Sequence, residues 1–158
     1  MPHCSQPNHR FPEIQCRLLY VGSDLALLKF LRSTFGKPKY HVVSCPDRDS
    51  AERFIKSDIP YQLFVFDLEM RHRAAFDLTQ LVRSLNHREG LPSIVVGSEA
   101  DASLGEFTLA SGGNEYVQKQ NHFVAIHEAI ARLLEPASQH SVKTKLGSGT
   151  ASRPDKGS

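Results

Sequence analysis

The feature that most restricts what this chain can fold into is a run of four apolar residues, Leu63, Phe64, Val65 and Phe66, that stops on Asp67 within the stretch YQLFVFDLEM at residues 61–70. A strand with one face in water alternates apolar and polar side chains, and this run does not. It fits a strand covered on both faces, as in the centre of a parallel sheet flanked by helices. Asp67 then stands at the carboxyl end of the strand, where open α/β sheets hold ligands and carry out chemistry.

The rest of the chain alternates in the same manner. Short apolar strands are expected at residues 17–21 (RLLYV), 40–44, 93–96 and 115–118. Between and after them, apolar residues recur at helical spacing over 25–35, 47–56, 76–85, 101–110 and 122–134. Leu25, Leu28, Leu31 and Phe35 line the first helix, which Gly36 and Pro38 end. The fourth is the weakest, because Gly105 in its middle costs about 1 kcal/mol relative to alanine. Five strands alternating with five helices fit right-handed βαβ crossovers. The architecture expected is α/β, a doubly wound five-stranded parallel sheet of flavodoxin or CheY type with strand order 2-1-3-4-5. In that order the first and third strands flank the switch point, so residues 22–24 lie beside Asp67 and Lys119 arrives from the last strand.

Composition sets the borders. A chain of 158 residues suits one domain. Residues 1–15, with three prolines and no periodicity, read as a flexible leader, 16–135 as the domain, and 136–158 as a disordered basic tail rich in Ser and Gly. The near-neutral net charge of +2 argues against a nucleic-acid binder. No segment offers the ~20 apolar residues of a membrane span, and three cysteines without paired spacing suit a reducing cytoplasm. His3, Cys4, His9 and Cys16 match no zinc spacing, so no metal site is assigned to them. The chain has no G-x-x-x-x-G-K-[ST], G-x-G-x-x-G or G-x-S-x-G, and no enzymatic activity is expected. A flavodoxin-like cofactor protein, with Gly22 and Ser23 as a weak phosphate cradle, is the rival use of the same switch point.

Four segments in this order, LLYVGSDLALLKFL, LFVFDLEM, LPSIVV and NEYVQK, resemble the CheY-like receiver domain of two-component response regulators, over roughly residues 17–134. The resemblance implies a stand-alone receiver-like domain in phosphorelay signal transduction, acting by protein contact. It sets Asp67 at the phospho-acceptor position, Lys119 at the phosphate counter-charge and Tyr116 at the aromatic switch. It further implies a partner face on the fourth helix, fifth strand and fifth helix, with Leu104, Phe107, Tyr116 and Phe123 as candidates, core positions being the alternative for each. The partner would be a histidine kinase, a downstream signalling protein or a second copy of the chain.

The chain also departs from the family's pattern. The acidic pair that holds the divalent metal falls on Gly22 and Ser23, the hydroxyl residue after the fourth strand on Gly97, and the proline after the lysine on Gln120. Asp24 follows the metal pair and is not normally a ligand. Glu69 matches a position used through its backbone carbonyl, so its side chain inherits no role. Magnesium wants near-octahedral oxygen ligands, usually with one or two carboxylates, and with Asp67 as the lone matching carboxylate Mg2+ binding should be weak. The cations at 71–73 could attract an anion without a metal. The resemblance is therefore to a degenerate variant, and a phosphorylation-independent pseudo-receiver stands as the alternative to a working one.

Overall fold

A computed structural model of the chain describes residues 16–36, 39–70 and 72–134. The expected leader and tail, and the histidines and cysteine of residues 3–9, lie outside the described residues. The strands are β1 (Cys16–Val21), β2 (Tyr40–Cys45), β3 (Leu63–Asp67), β4 (Ser93–Gly97) and β5 (Glu115–Gln118). The helices are α1 (Leu25–Thr34), α2 (Arg48–Lys56), α3 (His72–Ser84), α4 (Ala102–Ala110) and α5 (Val124–Leu134). All strands are parallel, in the order β2-β1-β3-β4-β5.

The alternation of side chains divides the core into two layers. On one face Leu18, Tyr20, Leu63, Val65, Val96 and Val117 pack with Leu27 and Leu31 of α1 and Ile126 and Ile130 of α5. On the other, Leu19, Val21, Phe64, Phe66 and Val95 pack with Ala51 and Ile55 of α2, Leu78 and Val82 of α3, and Leu104 of α4. Every residue of β3 is buried, as its unbroken apolar run requires. Burying one such Leu, Val or Phe side chain contributes roughly 1.5–3 kcal/mol.

Three helices begin on aspartate caps. Asp24, Asp47 and Asp101 accept hydrogen bonds from the backbone N–H groups of Leu27, Ser50 and Ser103. The second and fourth helices therefore start one residue after their aspartate, not on or before it. The third starts at His72, a turn earlier than its apolar stripe suggests, because Ala74 and Ala75 are buried without extending that stripe. Gly105 does not interrupt α4, whose Thr108 hydroxyl bonds back to the Leu104 carbonyl. The fifth helix begins at Val124 and not at 122, because Asn121, His122 and Phe123 all have positive φ (53°, 56° and 63°) and form a left-handed turn.

Register sets the geometry of the carboxyl edge. Val21 pairs with Phe66, Asp67 with Val96, and Gly97 with Gln118. The Leu68 N–H donates to the Val96 carbonyl and the Lys119 N–H to the Gly97 carbonyl, so pairing continues one residue past both strands. Residues 22–24, Asp67 and Lys119 are thereby brought to one edge. Among the described residues, no helix is long and apolar enough to cross a membrane.

Candidate functional site

Asp67 ends β3 with an odd-even phase that turns its side chain to the α1 and α5 face, the face of Leu63 and Val65. Tyr20 of β1 shares that face and pairs with Val65, two residues before Asp67. Its ring runs along the strands toward the carboxyl edge. The hydroxyl, fully buried, donates to Asp67 Oδ2 at 2.6 Å and accepts from the Asp24 N–H at 3.1 Å. Burial, then the hydrogen bond to Asp67, pushes the Tyr20 phenol well above its ordinary range, so it keeps the proton it donates.

Gly22 is what makes room for this hydroxyl. A Cβ there would stand 2.6 Å from the Tyr20 oxygen and 2.5 Å from the Asp67 Cβ. An aspartate or any other side chain at residue 22 is incompatible with Tyr20 in this position. Gly22 and Tyr20 are therefore sterically coupled, the hydroxyl filling the space that a side chain at residue 22 would need.

Lys119 arrives from β5 on the same face and ends among three carboxylates. Its Nζ lies 2.8 Å from Asp24 Oδ2, 2.9 Å from Asp67 Oδ2 and 3.2 Å from Glu69 Oε1. The ammonium is almost fully covered. Burial alone would lower its pKa, but hydrogen bonds to Asp24 and Asp67 outweigh burial and raise it. Asp24 serves twice, with Oδ1 capping α1 and Oδ2 on Lys119. The second oxygen of Asp67, Oδ1, accepts from the Glu69 N–H at 3.0 Å.

Glu69 reaches across to the next loop. Its Oε2 accepts from the Ser98 N–H at 3.0 Å, and hydrogen bonding to the Ser98 side chain, then to Lys119, holds its carboxyl below the ordinary carboxylate range. Tyr116 lies over Gly97: a Cβ at residue 97 would meet its hydroxyl at 2.8 Å and Leu68 at 3.2 Å. That hydroxyl donates to the Glu99 carbonyl at 2.7 Å.

The structure thus brings together Asp67 and Lys119, and adds Tyr20, Asp24 and Glu69. The sequence marks Tyr20 only as part of an apolar strand, and the resemblance gives the Glu69 side chain no role. Tyr116 is half-buried behind the site. Of the expected partner face, Phe107 is 57% exposed, but Leu104 is 7% exposed and belongs to the core, where it packs with Phe66, Leu68 and Val95. Phe123 is half-buried and packs on Phe30 at 5.3 Å between ring centroids. Arg71 and the side chains of residues 72 and 73 lie outside what is described, and with them the idea of a metal-free anion site there.

These residues do not fit a divalent cation. No group of three His, Cys, Asp or Glu side chains among the described residues could hold one. The three carboxylates converge on an ammonium, and Asp67 Oδ2 carries a tyrosine hydroxyl as well. Gly22 has no ligand atom, and a ligand could not be added beside Tyr20.

No protein-family model matches the chain. It is 25% identical over 136 residues to the signal transduction histidine-protein kinase BarA of Escherichia coli K12, which covers 86% of this chain and 14% of BarA. The chain spans about a seventh of that relative. A CheY-like receiver domain protein from Methanospirillum hungatei superposes with a TM-score of 0.64 at 20% identity, covering 80% of this chain and 99% of that one. The receiver domain of a DNA-binding response regulator from Colwellia psychrerythraea gives 0.65 at 18% identity, covering 76% and 98%. The fold is the CheY-like fold of response-regulator receiver domains.

Proposed function

We propose that this chain is a receiver-type signalling module that acts by protein contact, without metal-dependent transfer of a phosphoryl group to Asp67. The observation that carries this reading is the Tyr20 hydroxyl on Asp67 Oδ2, seated above a glycine that leaves it room. Phosphoryl transfer onto a carboxylate needs an oxygen open to the donor and cations to neutralise the gathering negative charge. Here Oδ2 is engaged by Tyr20 and Lys119, Oδ1 by a backbone N–H, and the charge of Lys119 is shared among three carboxylates. Asp67 and Lys119 act in this reading as a structural core of the site, and the module is not an enzyme.

Contact is supported by Phe107 of α4, which is 57% exposed although its ring leans on Phe76 of α3. A large aromatic side chain left open on the surface is a residue that a protein partner can cover. The occupant we propose is a partner in two-component signalling, a histidine kinase or a protein downstream of one. Titrating the isotopically labelled protein with magnesium tests the metal-free part of the reading. The amide signals of Asp67, Leu68 and Lys119 should not move beyond a matched sodium chloride control. A saturable shift of these signals would overturn it.

A further inference from the structure

The Glu69 carboxylate lies in a position that an anion bound to Lys119 would take. One oxygen rests on the Lys119 ammonium at 3.2 Å and the other on the Ser98 N–H at 3.0 Å. An ammonium and a backbone N–H aimed at two oxygens of one group form a small oxyanion site. Here that site is filled from within the chain. We propose that Glu69 is a built-in anion that stands in for a phosphoryl group, holding the loop of residues 98–101 and, through it, Tyr116 in one fixed state. The inference rests on the reading of Asp67 as a phospho-acceptor position that is closed.

The coupling runs along the loop. Ser98 is held by its N–H to Glu69 and by its carbonyl, which accepts from Gln118 Nε2 at 3.2 Å. The next carbonyl, that of Glu99, accepts from the Tyr116 hydroxyl. Fixing Ser98 therefore fixes the acceptor that keeps Tyr116 folded over Gly97. Glycine at residue 97 is needed for this, since a Cβ would contact both the Tyr116 hydroxyl and its ring carbon Cε1. A hydroxyl-bearing side chain there would push Tyr116 out. Gly22, Gly97 and Glu69 then form one set. Gly22 admits the hydroxyl that closes Asp67, Glu69 supplies the anion, and Gly97 admits the aromatic ring.

Chemical rescue tests this. Glu69→Ala in the full chain removes the carboxylate, and sodium acetate can return one to the vacated place. The Ser98 amide signal and the Tyr116 ring signals of Glu69→Ala should both differ from wild type, and Ser98 amide exchange should be about tenfold faster, the loss of one charge-assisted hydrogen bond. Acetate should return both sets of signals toward wild-type positions in a saturable manner, sodium chloride of equal ionic strength should not, and wild type should respond to neither. Ser98 and Tyr116 signals that match in wild type and Glu69→Ala would overturn the proposal, as would acetate and chloride acting alike. A change at Ser98 without one at Tyr116 would overturn the link between the anion and the aromatic ring. None of these outcomes depends on whether Asp67 accepts phosphate, so failure here is distinguishable from failure of the function proposed above.

Discussion

At the scale of single residues, Tyr20 and Lys119 decide whether Asp67 is a reactive group or a structural one. Replacing Tyr20 by Phe takes a hydrogen-bond donor from a buried carboxylate and an acceptor from the Asp24 N–H. A hydrogen bond to a charged group contributes about 1.5–3 kcal/mol, and Tyr20→Phe should cost an amount in that range. Lys119→Met leaves Asp24, Asp67 and Glu69 facing one another with Asp67 buried. Removing one partner from a buried ion pair costs about 3–5 kcal/mol, so Lys119→Met should be the more damaging of the two in urea unfolding. Equal stability of either variant and wild type would contradict this account of the cluster. Asp67 and Lys119 were legible in the sequence, because strand ends and their order can be read from apolar runs. Tyr20 was not, although a signal existed: it sits one strand over on the same face as Asp67, and the residue above it is glycine. Strand phase tells which face a side chain takes, but not how far a long ring reaches along it. Glu69 left no such signal, since its direction depends on the turn after β3, whose backbone has no period to read.

At the scale of elements, the turn between β5 and α5 is the departure that periodicity could not foresee. Phe123 belongs to the apolar stripe of the last helix, which is why the helix is expected to start before it. In the structure Asn121, His122 and Phe123 take left-handed φ values, and the Phe123 and Val124 N–H groups bond back to the Gln120 and Asn121 carbonyls. The Phe123 ring reaches Phe30 of α1 from this turn, so the apolar contact is kept while the helix is lost. A left-handed conformation costs an L-residue roughly 1–2 kcal/mol. Glycine removes that cost and returns part of it through the greater freedom of the unfolded chain. His122 is exposed, so His122→Gly should raise stability by about 0.5–1 kcal/mol, read as a higher urea midpoint. A lower midpoint would mean that the turn is not strained. By contrast α1 ends within a residue of the span that its spacing predicts, but its inner face is turned from the expected one: Leu25, counted in the apolar stripe, is 76% exposed, and Leu27 is fully buried beside Leu31.

At the scale of the whole molecule, the parallel sheet and its strand order followed from one fully apolar strand and the regular alternation of strand and helix signals. What could not be read was the charge balance at the carboxyl edge, since it arises from residues up to 95 positions apart in the chain. That balance sets a pH response. Burial would raise the Asp24 carboxyl, but hydrogen bonds from Lys119 and the Leu27 N–H outweigh it and hold it below its ordinary 3.8. Glu69 is held below 4.5 by hydrogen bonding to the Ser98 side chain first and then by Lys119, against burial, which would raise it. A carboxyl depressed in the folded state stabilises fully above its unfolded value, and that contribution is lost as pH falls through the folded one. Lys119, raised in the folded state, has the opposite sign: its contribution is complete below 10.5 and lost only above it. Stability should therefore be level from about pH 5 to 9 and fall below about pH 4. The urea midpoint of Glu69→Gln should fall less between pH 7 and pH 3 than that of wild type; an equal fall would remove Glu69 from the explanation. The central claim, that Asp67 is closed to phosphate, is tested most directly by incubating the protein with acetyl phosphate and magnesium and reading the intact mass beside an Asp67→Asn control. Wild type and Asp67→Asn should stay equally unmodified. A gain of one phosphoryl group that needs both magnesium and Asp67 would contradict it, and would mean that Tyr20 leaves Asp67 readily enough for the site to work.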